Sequence, residues 1–383
     1  MADAPHRPLR IAVVGVSEAA TCGVRDHAAL LSEALGARGV DCSTHWLTRS
    51  EHGLRGCRAE FRAWTAQLRA ELERDRPDAI LLHYSVFSYS YRGLPLFVAS
   101  VLAALRASER PIVGLLHEIA YPWRIGGLRG AVWAFTQRTL SIELMRSCAA
   151  VVVTAPFRAE ALRSNRLLPR CPIYLAPVFS NLPAPRALPG ERTEGEHSVG
   201  LFGYAYEGAA ASLVLDALRL LGERGLPARL VLLGAPGPDS AAAERWRTEA
   251  GARGVELSFS GVLSPAELSD ALAACDALLH PERSGATSRK GTLTGSLASG
   301  RPVVALDGPL AWDELIAARA AEIAQADPRA LADKLEPLLR DPAWREEVGA
   351  RGAEFARSHM SVERSAEVVT EAIEQACAGR QAV

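Results

Sequence analysis

Two periodicities alternate along almost the whole chain, and that alternation limits the folds open to it. Leu9–Val16 is a short apolar run rich in branched residues. Gly23–Arg38 then places Val24, His27, Leu30, Leu31, Ala34 and Leu35 at helical spacing and stops at Gly39. Ala79–His83, Pro111–Leu116 and Ala150–Val153 read as buried strands, with helices over Arg58–Leu72, Leu94–Leu105 and Leu128–Met145 between them. Continuously apolar strands separated by helices predict a parallel sheet covered on both faces.

Between Pro177 and Ser198 the rhythm breaks. Pro177, Pro183, Pro185 and Pro189 fall here, with the charged run Gly190-Glu-Arg-Thr-Glu-Gly-Glu196, a composition suited to a linker. Strand–helix alternation resumes with Val199–Gly203, Arg229–Gly234, Val255–Ser260 and Ala277–His280, and Ser264-Pro-Ala-Glu267 reads as a capping box with proline at the first helical position. Ser361–Ala376 has the spacing of a further amphipathic helix. At 383 residues the chain is too long for one ordinary core. The expected architecture is α/β: two doubly wound Rossmann-like domains facing a central cleft. The boundaries are 1–180 for the N-terminal domain, 181–198 for the linker and 199–360 for the C-terminal domain. Residues 361–383 form a terminal helix able to pack back on the first domain.

Composition excludes several classes. The net charge of −1 carries no general nucleic-acid signal. It is unevenly spread: residues 1–175 hold 22 arginines against 15 acidic residues, +7, and the remainder sums to −8. A basic N-terminal half suits at most a peripheral contact with an anionic membrane face or an acidic acceptor, and scattered surface arginines explain it equally well. The seven cysteines are odd in number, widely spaced and free of any C-x-x-C pair, which argues against a disulfide framework or zinc site and for a reducing cytoplasm. No apolar run approaches the ~20 residues of a membrane span, and residues 1–10 lack the core of a signal peptide.

Ligands of doubly wound sheets collect beyond the carboxyl ends of the strands. One such segment, Ser284-Gly-Ala-Thr-Ser-Arg-Lys-Gly-Thr-Leu293, runs from the apolar Ala277–His280 into a short helix with Leu293 and Leu297 on one face and Gly300 at its end. Free N–H groups at that helix start, with Arg289 and Lys290 just before them, make a ready anion site. Lysine occurs only at Lys290 and Lys334. A solvated loop with ordinary charges is the bland alternative. The dinucleotide fingerprint G-x-G-x-x-G is absent after Val13-Val14-Gly15, which argues against a nicotinamide enzyme.

In order and spacing the segments resemble the GT-B glycosyltransferases, in particular retaining family four. Gly23-Val24, His27, Leu31, Leu35 and Arg38-Gly39 look like the family's first loop and helix, and Pro111-Ile-Val-Gly-Leu-Leu-His117-Glu118 like its strand ending in histidine. Cys148-Ala-Ala-Val-Val-Val-Thr154 looks like the last strand region of the acceptor domain. Val199-Gly-Leu-Phe-Gly203, Leu230-Val-Leu-Leu-Gly234, Cys275-Asp-Ala-Leu-Leu-His-Pro281 and Ala298-Ser-Gly-Arg-Pro-Val-Val304 continue the match. Two departures stand out. The family's paired glutamates, eight apart, correspond to Thr287 and Gly295, and its arginine and lysine after the first donor-domain strand are missing from Gly203-Tyr204-Ala-Tyr-Glu-Gly208.

The resemblance implies transfer of a sugar from a nucleotide-diphosphate donor, with retention, without metal and with no cofactor beyond the nucleotide sugar. It implies a glycan, lipid-linked or small-molecule acceptor and no nucleic acid. His117, Arg289 and Lys290 would serve the reaction, the two cations standing in for the absent ones. Gly23, Gly203, Tyr204, Arg283, Gly291, Thr292 and Gly295 would hold the donor, though Gly295 reads equally well as a packing glycine; Thr21 and Cys22 adjoin Gly23. Glu118, Tyr121 and Trp123 are acceptor-side candidates, with Tyr84, Phe87, Tyr89 and Tyr91 as aromatics that core packing explains as well. Asp26 and His27 could act as a base in an inverting reaction. Two rivals remain: a catalytically weak homologue acting as a nucleotide- or glycan-binding partner subunit, and a sugar-nucleotide epimerase, which needs acid/base carboxylates that the sequence does not clearly offer.

Overall fold

The structure, a computed structural model, describes residues 7–18, 22–120, 123, 127–186, 197–203, 208–234 and 237–381. The chain divides into two compact units, Met1–Pro177 with Val362–Val383, and Val178–Ser361.

In the first unit the strands are β1 (Arg10–Ser17), β2 (Asp41–Thr48), β3 (Ala79–Ser85), β4 (Ile112–Glu118), β5 (Ala150–Val153) and β6 (Ile173–Leu175). They form one sheet in the order β2-β1-β3-β4-β5-β6, every pairing parallel. Chain order reverses between β1 and β3, so the crevice beyond their carboxyl ends is the place where such a sheet receives a ligand. All seven residues of β3 are buried. Alternate residues face opposite ways: Ile80, Leu82 and Tyr84 pack with Ala12, Val14 and Val16 on one face, against Phe61, Leu68 and Leu72 of the helix Leu54–Asp75. The terminal helix Val362–Gln381 lies against this unit's helix Gly23–Ala37 and β5.

The second unit contains β7 (His197–Phe202), β8 (Ala228–Leu233), β9 (Leu257–Phe259), β10 (Ala277–His280), β11 (Val303–Leu306) and β12 (Glu322–Ala324). Their order is β12-β11-β10-β7-β8-β9, again all parallel. Here the reversal falls between β7 and β10. Ala277 and Leu279 of β10, with Val304 and Leu306 of β11, join one apolar cluster; Leu278, Val303 and Ala305 join the other. Both faces are thus dry, which is why these strands read as unbroken apolar runs.

Several elements depart from the sequence reading. The helix expected from Leu94 begins at Val98. Arg92 and Gly93 both have positive φ (49° and 84°), and the tight turn they make pairs Tyr91 with Leu94. Four strands were not anticipated, Asp41–Thr48, Ile173–Leu175, Val303–Leu306 and Glu322–Ala324. Three are edge strands, whose partly exposed residues lack the continuous apolar signal, whereas Val303–Leu306 is an inner, fully buried strand of only four residues. The proline segment is held to the second unit in its described part: Arg186 N–H donates to Asp270 at 2.7 Å, and Ser269 Oγ donates to the Pro183 carbonyl at 2.7 Å. Residues 187–196 of that segment lie outside the described residues.

Two helical glycines give opposite expectations. A Cβ on Gly349 would press into the Gly300 carbonyl oxygen, backbone that cannot swing aside, whereas one on Gly36 would meet nothing within 4 Å. Gly349→Ala should therefore destabilise the chain by about 1–3 kcal/mol, and Gly36→Ala should stabilise it by about 0.4–1 kcal/mol. Thermal unfolding of the two variants, moving in opposite directions, checks the packing.

Candidate functional site

In the second unit β10 delivers His280 to its carboxyl end at the reversal of strand order. The loop that follows is largely buried, with Ala286, Thr287 and Ser288 at 0–1% exposure. It is strapped down by backbone hydrogen bonds from Leu310 to the Ser284 carbonyl (2.8 Å) and from Trp312 to that of Ala286 (2.9 Å). Gly285 has φ of 94°, and a Cβ there would strike the Ala311 backbone. The loop therefore ends in a fixed place, with Lys290 as the extended N-cap of the helix Gly291–Ala298. The Lys290 side chain does not cap the helix start, so donors of the first turn remain available to an anion.

Glu282 organises the charges. Its carboxylate lies 3.0 Å from Lys290 Nζ and 3.7 Å from Arg289 Nη2, and it accepts from Ser284 Oγ at 3.0 Å. Burial works against its ionisation, but the Lys290 ammonium, His280 and the Ser284 hydroxyl together outweigh it and hold the carboxyl below its ordinary range. Two cations and one carboxylate leave a net positive charge beside the helix start. Gly203, at the end of β7, has φ of 70°, and a Cβ on it would lie 3.0 Å from Thr292 Cγ2. The carboxyl ends of β7 and β10 thus meet at the first turn of this helix.

The other donor-side candidates divide. Gly291 and Thr292 form the helix start. Gly295 is buried, and a Cβ there would come within 3.2 Å of both Leu182 and Phe202. That is a packing environment, and those side chains occupy the space through which the family's glutamate would leave the helix. Arg283 is exposed, and none of the ion pairs at Glu282 involves it. Tyr204 lies outside the described residues.

In the first unit Gly23 opens the helix Gly23–Ala37, behind a Cys22 that makes no side-chain cap; Thr21 lies outside the described residues. Asp26 and His27 are in the first turns of that helix. His117 ends β4 at an irregularity in pairing: Tyr84 pairs Leu116 and Ser85 pairs Glu118, leaving His117 as the extra residue. Such a bulge re-aims a side chain, and the His117 ring stacks on His83, with Nε2 3.1 Å from His83 Nδ1. Burial pushes both imidazoles well below their ordinary pKa, so both are neutral at pH 7. Glu118 is exposed and accepts from Ser85 Oγ at 3.4 Å. Trp123 is 49% exposed with the Arg138 guanidinium over its ring, and Tyr121 lies outside the described residues. Tyr84 and Tyr89 are stacked core residues at 1% exposure, too deep for an acceptor surface, while Phe87 and Tyr91 are half-buried.

Sequence reasoning, though it weighed the segments His83–Tyr91 and Glu282–Gly291, gave His83, His280 and Glu282 no role in these sites. A signal existed: Leu81-Leu82-His83, Leu115-Leu116-His117 and Leu278-Leu279-His280 all end apolar strands in histidine. His280 is 1% exposed, and burial lowers its pKa from 6.5 to about 4, with Lys290 and Arg289 adding to the effect and Glu282 opposing it. Between pH 6.5 and about 4 the unfolded chain binds a proton here that the folded chain refuses. The stability it contributes is therefore complete above that window and lost on acidification, on the order of 2 kcal/mol by pH 5. In His280→Gln the drop in melting temperature between pH 7 and pH 5 should shrink; an unchanged drop would assign the acid sensitivity to other groups.

Residues 196–341, within the second unit, match the family described as Glycosyl transferases group 1. No curated protein sequence matches the chain. Among solved structures, the chain is similar to sucrose-phosphate synthase from Thermosynechococcus elongatus, with TM-score 0.73 and 16% identity over 97% of this chain and 100% of that one. It is similar also to Anabaena HepE in complex with UDP and glucose, with TM-score 0.67 and 14% identity over 96% and 99% of the two chains. A UDP-N-acetylglucosamine 2-epimerase described as putative, from Listeria monocytogenes, matches at TM-score 0.61 and 12% identity over 96% of each chain. At such identities the structural likeness establishes the fold. Residues 196–341 of the second unit thus match the group 1 glycosyltransferases, and the chain has the two Rossmann-like units of the GT-B fold.

Proposed function

We propose that the chain transfers a sugar from a nucleotide-diphosphate donor to an acceptor, with retention, using protein charges rather than a metal at the diphosphate. One observation carries this reading: Glu282 holds Lys290 and Arg289 at the uncapped start of the helix Gly291–Ala298, where the ends of β7 and β10 converge. Negative charge develops on the leaving diphosphate as the glycosidic bond breaks. Fixed cations and N–H donors stabilise it without reorganising at that moment. Gly203 keeps the floor of the site open beside Thr292. His117, at the end of β4, would contact the sugar or reacting phosphate, and the acceptor is a glycan, a lipid-linked saccharide or a small molecule.

The HepE structure holds UDP and glucose, which makes UDP the first nucleotide to test here. No helix among the described residues is long and apolar enough to cross a membrane. No disulfide forms among the described residues, which suits a reducing compartment, and we place the reaction in the cytoplasm. A partner-subunit reading draws on Thr287 and on the filled space at Gly295, where the family's glutamates are replaced. An epimerase reading draws on the shared fold.

Binding and turnover separate the three. UDP, GDP, dTDP and ADP should be screened by melting-temperature shift, since a ligand of the native state alone raises it. The preferred nucleotide should bind Arg289→Ala/Lys290→Ala at least about 10-fold more weakly, because each lost charge-assisted hydrogen bond costs about 1.5–3 kcal/mol. Unchanged affinity in the folded double variant sinks the site. Nucleotide binding with no turnover of any sugar donor supports the partner subunit, and donor isomerised without an acceptor supports the epimerase.

A further inference from the structure

The first unit brings three histidines from distant parts of the chain to one point. His27 comes from the helix after β1, His83 from the carboxyl-terminal half of β3 and His117 from the bulge of β4. That point lies in the carboxyl-terminal halves of β3 and β4, whose last residues are Ser85 and Glu118, next to this sheet's own reversal of strand order. One ring nitrogen from each residue can be chosen so that all three lie within 4.8 Å of one another. Ring centroids are 5.0 Å apart for His27–His117, 5.4 Å for His83–His117 and 6.0 Å for His27–His83.

Core packing alone accounts poorly for this cluster. His83 is 1% exposed, and its Nε2 has no hydrogen-bond partner. Leaving a buried polar atom unpaired is costly. The 3.1 Å between His83 Nδ1 and His117 Nε2 fits a hydrogen bond between the two rings, which leaves His83 Nε2 as the nitrogen without a partner. Both backbones are clamped: Tyr89 Oη donates to the His83 carbonyl at 2.9 Å, and Arg158 donates to the His117 carbonyl.

We propose that His27, His83 and His117 bind one divalent transition-metal ion, of the kind that imidazoles prefer, with zinc as the reference. Three neutral nitrogens leave a fourth position open to water or a substrate oxygen, on the half-buried His117 side. The site belongs to the first unit and shares no residue with the cation pair of the second. Metal binding does not depend on the donor assignment. If His117 also meets the sugar, the bound ion competes for that imidazole.

The test uses the full chain stripped with chelator and titrated with Zn²⁺ by calorimetry and with Co²⁺ by absorbance. The expected result is one metal per chain, with the visible d–d bands of a low-coordinate cobalt site. Binding should weaken at least about 10-fold in His83→Gln and in His117→Gln, each checked for folding by circular dichroism, and persist in His280→Gln, a buried histidine elsewhere. Less than half an equivalent in the unaltered chain overturns the proposal. So does unchanged affinity in either folded cluster variant. The His117 variant keeps the test decisive should the more deeply buried His83 prove necessary for folding.

Discussion

Every strand in both sheets pairs parallel, and that one constraint organises the rest. Parallel neighbours cannot be joined by tight hairpins, so each connection crosses over, here mostly through a helix covering a face. With both faces dry, polar side chains have little place along the inner strands and collect where the strands end. The leucine pairs at 81–82, 115–116 and 278–279 are core; the next residue in each case is a histidine among the last three residues of its strand. Side-chain chemistry is therefore confined to one edge of each sheet.

The two edges differ in electrostatics. In the second unit a carboxylate with 17% of its side chain exposed holds two cations. Loss of either cation would leave Glu282 less well compensated, and loss of Glu282 would leave Arg289 and Lys290 to repel each other. The surplus positive charge and the helix dipole act in the same direction, toward a bound anion. The first unit's edge presents imidazoles neutralised by burial. Such groups suit hydrogen bonding to a neutral sugar or ligation of a soft-to-borderline ion, and they do little for a diphosphate.

Much of the fold was legible because inner strands leave a strong signal. The expected Ala277–His280 and Ala150–Val153 are β10 and β5 to the residue. The edge strands Asp41–Thr48 and Glu322–Ala324 were not legible, since a strand with one open side carries polar residues and looks like a loop. The false start at Leu94 has a local cause: a turn with positive φ at Arg92 and Gly93 spends four residues before the helix begins. In the site, Arg289 and Lys290 were visible as a basic pair before a helix. Their restraint by Glu282 was not, because it depends on how the loop folds back.

By itself the sequence determined the two-fold repetition of strand and helix, the break after Pro177 and the anion-seeking character of the 284–293 loop, because burial periodicity and helix-start chemistry are local properties. Only the tertiary structure decided which distant residues meet. His27, His83 and His117 are separated by 56 and 34 positions, and no local preference acts over such spans. Strand order and a single bulge brought them together. The same holds at Gly295, where Leu182 and Phe202 fill the space a longer side chain would need. Close packing couples that position to residues the local pattern cannot see.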